Sequence, residues 1–521
     1  MKFNFQTFVV GLGAAFLIAS PAKSNAFALL GPFQPWMQVS NGVILPGDIG
    51  GPMDIGSGYR WNVPVVTYGF DQSFLDYFGS NGVAAVEGAI KTLNDLPPAS
   101  QMVLTNYPFI SQQINYVAET EGLFDLKSQT LSLLVEHLGL AAPTRNVFVL
   151  KQWTTICEQY ASQFYLSHNS VFWQYYWPDW FIPDFIGQFN FDPITLQPSQ
   201  YVNEILYSAY VNDWYSQAPY PATLTVQGAD PYAYEYTAVA EVDALSSGQF
   251  FFGLTYDDVG GLCYLLSTNT VNYETLLPGV SGVGVNSNSF VNGAWRPGVD
   301  KITFVPQLMD SQSGAFLPMT NYFTDTYITN GNAVQQQLQR IITKPDFLFS
   351  AGDTGNASPD TPFYYRTGTS NWINNASANG NIGGEGPGVI QPPVQIIFNK
   401  MGQFSITFGA EDGYEDWGTS ETLWASFDGS SNAPVIYPIP QTGTNQMTVR
   451  MWLEKGTYPT WSTTRFEWKP VSAIGTVYAF QTATNLTDWI SLFTVTNDGT
   501  ICAYGNVNPA SPTRFYRLVP Q

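Results

Sequence analysis

VPVVTYGFD, residues 63–71, followed by VAAVEGAIKTLNDL, residues 83–96, sets the architecture of this chain. The first run is β-branched and aromatic and reads as a strand. Gly79-Ser80-Asn81-Gly82 punctuates it, and Ser80 or Asn81 is placed to cap the next element. Val83, Val86, Ile90 and Leu93 then recur at helical spacing, and Pro97-Pro98 closes the element. A strand feeding a helix at this point predicts an α+β region.

Working outward, LKSQTLSLLVEHLGL (126–140) predicts a second helix with one apolar face, ending near Gly139. A third helix is expected over 153–166. The stretch 160–220 is dense in aromatic residues, as in FWQYYWPDWFIPDFIGQFNFD, and holds neither strand nor helix period. Trp173, Trp177 and Trp180 are its candidate binding residues, a platform for sugar rings. The alternative is a packed wall that uses the same rings as core. From residue 224 the pattern turns to short β runs, including QFFFGLTYDD, with one helix expected at AVQQQLQRIIT (333–343) on a stripe of Val334, Leu338, Ile341 and Ile342. Residues 351–388 read as a long loop. After Pro387 short strands alternate with turns to the end, among them VQIIFN, FSITF, MTVRMWLE, TRFEWKP, VYAFQTA, ISLFTVT and RFYRLVP.

That spacing predicts immunoglobulin- or fibronectin-like β-sandwich modules after an α+β N-terminal region. The expected divisions are a signal peptide at 1–28, an α+β region at 29–223, a mixed, mostly β domain at 224–386, a β-sandwich at 387–462 and a terminal β module at 463–521. The segment after Pro387 is expected to fold without the rest.

The N-terminus carries an address. Lys2 lies in a short polar start, FVVGLGAAFLIAS (8–20) is apolar, and two small-residue cleavage patterns come next, Ser24-Asn25-Ala26 and Ala26-Phe27-Ala28. This is the layout of a secretory signal peptide, with a mature chain starting near Phe27 or Leu29. The apolar run is shorter than the roughly 20 residues that span a bilayer, so no transmembrane anchor is expected. The expected location is the cell surface, the medium or the periplasm.

Of 521 residues, 19 are Lys or Arg and 40 are Asp or Glu, giving a net charge of -21. No basic cluster is present to neutralise phosphates, so nucleic acid is not an expected partner. An extracellular glycan or a component of the cell envelope is. Cys157, Cys263 and Cys502 are spread apart and match no zinc spacing, and their pairing stays open.

Two regions resemble known families. YRWNVPVVTYGFD…NGVAAVEGAIKTLNDLP (59–97) resembles the first strand and helix of the metzincin zinc proteases. Those enzymes bind zinc through HExxHxxGxxH. Setting Gly139 on the motif glycine puts Ser132, Glu136 and Ala142 at the ligand positions and Leu133 at the catalytic glutamate, with His137 one residue off. The resemblance therefore implies a metzincin-like fold without its zinc site. The N-terminal part is also similar to exported proteins of environmental Gram-negative bacteria, a resemblance that carries no particular activity with it. GTVYAFQTATNLTDWISLFTVTNDGTICAYG…RFYRL (475–518) is similar to a small β module at the end of many secreted bacterial proteins, which implies a sandwich fold.

Other catalytic patterns are weak. The sequence has no G-x-S-x-G elbow, and His137 and His168 are its two histidines. Gly383–Gly388 lacks the lysine of a phosphate loop. Carboxylates are the remaining material: Asp257-Asp258, and the group Glu411, Asp412, Glu415 and Asp416. The latter group is a candidate calcium site, since four carboxylates within six residues repel one another unless a cation or solvent screens them. The expected function is a secreted, non-catalytic extracellular binding or structural protein. The alternative is a glycan-active hydrolase using paired carboxylates.

Overall fold

The computed structural model describes residues 26–35, 37, 48–155, 181–212, 223–228, 238–240, 245–284, 289–310, 314–352, 366–382, 384–407, 415–438, 448–453, 464–469, 475, 477–483, 489–496, 502–506 and 515–520. The chain is mostly β, with several sheets and few helices. It divides into two compact units, one of residues 1–74 and 83–434, the other of 75–82 and 435–521.

In the first unit the 63–71 run forms an inner strand of a five-stranded sheet. Val65–Phe70 pairs in parallel with Thr303–Pro306 on one side and Phe347–Gly352 on the other. Val394–Asn399 extends the parallel run, and Arg366–Gly368 closes the edge antiparallel. Phe347, Phe349, Ile396 and Phe398 are wholly buried, as near-continuous apolar runs in a covered parallel sheet require. Phe349 stacks on Phe398 with centroids 6.4 Å apart.

The helix after this strand, α1, runs Gln72–Asn94 with Asp71 as its N-cap and a break at Gly79, whose φ is 59°. Val86, Ile90 and Leu93 of the expected stripe are buried, and Val83 is half-buried. A short helix α2 (Tyr116–Thr120) is capped by Asn115. Helix α3 (Leu126–His137) is capped by Asp125 and buries every residue except Lys127. It is thus enclosed on all sides rather than on one face, and His137 is interior rather than at an exposed edge. The Trp61 indole donates to the His137 carbonyl at 2.8 Å, and the His137 ring meets Phe347 edge-on.

Three expectations change. Residues 333–343 are not helical: Asn332–Ile342 is a strand, paired residue for residue with Met319–Thr329. Leu338, Arg340 and Ile342 point inward at a spacing of two, while Ile341 of the expected helical stripe is half exposed. The two-residue loop Asn330-Gly331 has φ of 49° and 75°, the geometry of a tight hairpin turn, and eleven ladder pairs outweigh the helix propensity of a glutamine-rich run. The third expected helix begins instead as a strand, Val149–Thr155, and its remainder lies outside the described residues. Residues 351–388 contain strands at Arg366–Gly368 and Asn371–Asn374.

Residues just past Pro387 also join the first unit. Gly388–Gln391 pairs with Tyr59–Arg60, and Trp424–Ser426 with Phe124–Asp125, both in parallel. The contacts divide the chain after Pro434, whereas strand spacing alone suggests a division near Pro387.

In the second unit, Val477–Ala483 is flanked antiparallel by Ile490–Thr496 and Phe515–Pro520. Thr464–Lys469 is flanked by Thr448–Leu453 and Cys502–Asn506. Phe480 stacks on Phe493 at 5.0 Å.

Candidate functional site

Thr255, the residue after a buried Leu254, starts helix α4 (Tyr256–Leu266) with a capping box. The Asp258 carboxylate accepts hydrogen bonds from the Thr255 amide and hydroxyl at 2.9 and 2.6 Å, and from the amides of Val239 and Ala240. Asp257 is equally buried and accepts from the Asn203 amide at 2.9 Å, while Asn203 accepts from the Asp257 amide at 3.2 Å. Burial raises both carboxyl pKa values; for Asp257 the neighbouring Asp258 and Asp192 add to the rise. The pair considered as catalytic in the sequence is therefore enclosed, with Asp258 consumed in capping and neither group presented to solvent.

The far end of α4 leads to an open site. A pocket of about 580 Å³ lies between the C-terminal turn of this helix, the 193–196 turn, the start of the Asn272–Thr275 strand, and Asn379, Asn381 and Pro387. Tyr264 and Trp295 contribute rings, and Ser267, Asn269, Thr270 and Asn381 contribute hydroxyl and amide groups. Among the described lining residues none is Asp, Glu, His, Lys or Arg. Trp295 is 42% exposed and stands edge-on to Tyr273, centroids 5.9 Å apart.

The floor is fixed from beneath. Arg60 donates to the carbonyls of Leu265 and Thr270 at 3.0 and 2.8 Å, to Arg296 O at 3.0 Å and to Glu274 at 2.7 Å. Thr270 Oγ1 donates to the Tyr264 carbonyl. Tyr264 Oη accepts from the Gly56 amide, which sets the ring. Asn379 clasps the neighbouring strand, its amide group donating to Tyr273 O and its oxygen accepting from Tyr273 N. Arg296, beside Trp295, is held by Asp325 at 2.9 Å. Such a site is largely preformed.

The other residues singled out in the sequence fall elsewhere. Trp173, Trp177 and Trp180 lie outside the described residues, as do Glu411, Asp412, Cys157 and His168. Glu415 and Asp416 begin the Glu415–Glu421 strand, opposite Thr407 and Ile406. Ser132, Leu133 and Glu136 are enclosed in α3, with Ala142 buried after it. Among the described residues no group of three His, Cys, Asp or Glu side chains could hold a metal ion. Cys263 is a free thiol at the pocket wall whose pKa is raised by burial and by Asp300.

Sequence reasoning misses this pocket. Its signal is the run STNTVNY (267–273), rich in hydroxyls and amides, with Trp295 in NGAWRPG. These lie apart in sequence and meet only because Asn272–Thr275 pairs with Gly293–Arg296. No family model, no curated protein and no solved structure matches this chain.

Proposed function

We propose that this chain is an exported, non-catalytic binding protein whose Trp295 pocket takes a neutral glycan of the extracellular space or cell envelope. The observation that carries the reading is the lining: two aromatic rings among hydroxyl and amide groups on a fixed floor. A sugar ring offers an apolar C–H face for stacking and hydroxyls that both donate and accept, which Ser, Thr and Asn complement. What the pocket supplies is stacking and neutral hydrogen bonding rather than proton transfer, so the ligand leaves as it entered. The signal-peptide layout at 1–28 supports the extracellular setting.

The test is a titration of the purified protein with neutral gluco-, manno- and N-acetylglucosamine oligosaccharides, read by tryptophan fluorescence and calorimetry, with chromatography for products. Saturable binding without product is expected. Release of shorter sugars would instead favour the carboxylate-dependent hydrolase, and no binding across the three series would remove the glycan reading.

A further inference from the structure

The sequence offers two processing points, after Ala26 or after Ala28. The structure separates them. Phe27–Gly31 is a strand, buried along its length, that pairs with Asn190–Phe191, Gly51–Met53 and Leu140–Ala141. The Phe27 ring lies 6.2 Å from Phe191 and 5.7 Å from Tyr264. A Cβ built on Gly261 of α4 would stand only 3.2 Å from the Phe27 Cβ, so strand and helix are in close contact there. Cutting after Ala28 would remove Phe27 and Ala28 from this core and leave Asn190 and Ala141 without their strand partner. Cutting after Ala26 removes neither.

A second observation lies at the same spot. Asp257 is 1% exposed, and its Oδ1 has no hydrogen-bond partner among the described residues. The Ala26 amide faces this carboxylate and favours its charge without completing a bond to Oδ1. Asp258 and Asp192 add negative potential; both Asp258 oxygens are already engaged by the Thr255, Val239 and Ala240 groups, and Asp192 Oδ1 by the Ile194 and Thr195 amides. Here, then, is a buried acceptor in a negative environment, beside the residue that a signal peptidase would make the end of the chain.

We infer that processing cuts the Ala26–Phe27 bond and that the new Phe27 α-ammonium seats on Asp257. The reaction is hydrolysis by a signal peptidase: water gives its hydroxyl to the Ala26 carbonyl carbon and a hydrogen to the Phe27 nitrogen, which leaves as an amine and takes a proton from solvent. The Ala26 amide departs with the leader, and an ammonium with three donors replaces it one residue on. A buried charge of this kind is held when it is paired and hydrogen-bonded. The leader thereby masks an end that completes the core of the exported protein.

This rests on the export reading proposed above, and the experiment keeps the two apart. The full chain is expressed in a Gram-negative host, the exported protein is purified, and its intact mass and N-terminal sequence are read. A start at Phe27 is expected. A start at Leu29 or at another residue overturns the inference alone, and a chain retained uncut overturns the export reading and the inference with it. The Phe27 amine is then labelled with an acylating reagent at neutral pH, in native buffer and in urea. Labelling at least tenfold slower in the native protein is expected, and Asp257→Asn should restore most of the lost rate. A native amine labelled as fast as the unfolded one contradicts the pairing, as does protection that Asp257→Asn leaves unchanged. Where that variant does not accumulate, the wild-type comparison decides.

Discussion

Arg60 and Glu274 meet at 2.7 Å, both sealed from solvent, directly under the pocket floor. The pair joins the Tyr59–Arg60 strand to the sheet that carries Trp295, and through Arg60 it also fixes the loop that presents Thr270. Burial raises the Glu274 pKa, and the Arg60 charge opposes that rise.

Arg60→Met should therefore be costly in two ways. It strands a buried carboxylate and frees three carbonyls, for a loss of about 3–5 kcal/mol. Urea unfolding would show the midpoint drop. A variant as stable as wild type would mean that water reaches Glu274.

Asp125 gives a pH dependence with a definite sign. Desolvation lifts its pKa from the ordinary carboxylate value to about 6, against opposing hydrogen bonds from Ser128 and Phe427. The folded chain then holds more protons than the unfolded one between these values. This contribution to stability is greatest below about pH 4 and declines as pH rises through 6, by up to about 3 kcal/mol. Asp125→Asn keeps a capping oxygen for the Ser128 amide and removes the titration. Melting temperatures between pH 4 and 7 should fall less steeply with pH in the variant; an unchanged slope would assign the dependence to other groups.

Gly139, which ends α3, has φ of 114°, and a Cβ there would sit 2.2 Å from the Tyr59 carbonyl oxygen. Gly56 also has positive φ, 80°, but opens onto free space. Gly139→Ala should cost about 2–4 kcal/mol, combining backbone strain with overpacking, and Gly56→Ala about 1 kcal/mol from strain alone. Thermal denaturation of the two variants side by side measures the difference, and equal losses would contradict it.

The Asn330-Gly331 turn sets the register of the longest hairpin among the described residues. Gly331→Val places a β-branched side chain at φ of 75° and should destabilise by about 1–3 kcal/mol. Amide exchange across Met319–Thr329 and Asn332–Ile342 should quicken, and unchanged protection would mean that the ladder alone holds the turn.

This hairpin also shows where the sequence is legible. Val65–Phe70, the buried stripe of α1, and strands such as Val394–Asn399 and Val477–Ala483 carry their own periodicity or composition, and local rules read them. AVQQQLQRIIT leans locally toward a helix. Its apolar residues fit a helix, and only the partner strand and the Asn-Gly turn decide otherwise. The helical run LKSQTLSLLVEHLGL marks its own end, but burial of its polar face depends on what surrounds it. The pocket is least legible, because its lining comes from five separated segments, and its rings and amides from three of them. Asp257 and Asp258 look like catalytic material because sequence shows charge without burial.

Calorimetry on Trp295→Ala decides whether the Trp295 pocket takes the neutral glycan proposed for it. Using the oligosaccharide that binds wild type best, the variant should bind at least about tenfold more weakly while its melting temperature stays close to that of wild type. A variant that binds as tightly as wild type would rule out this pocket as the glycan site.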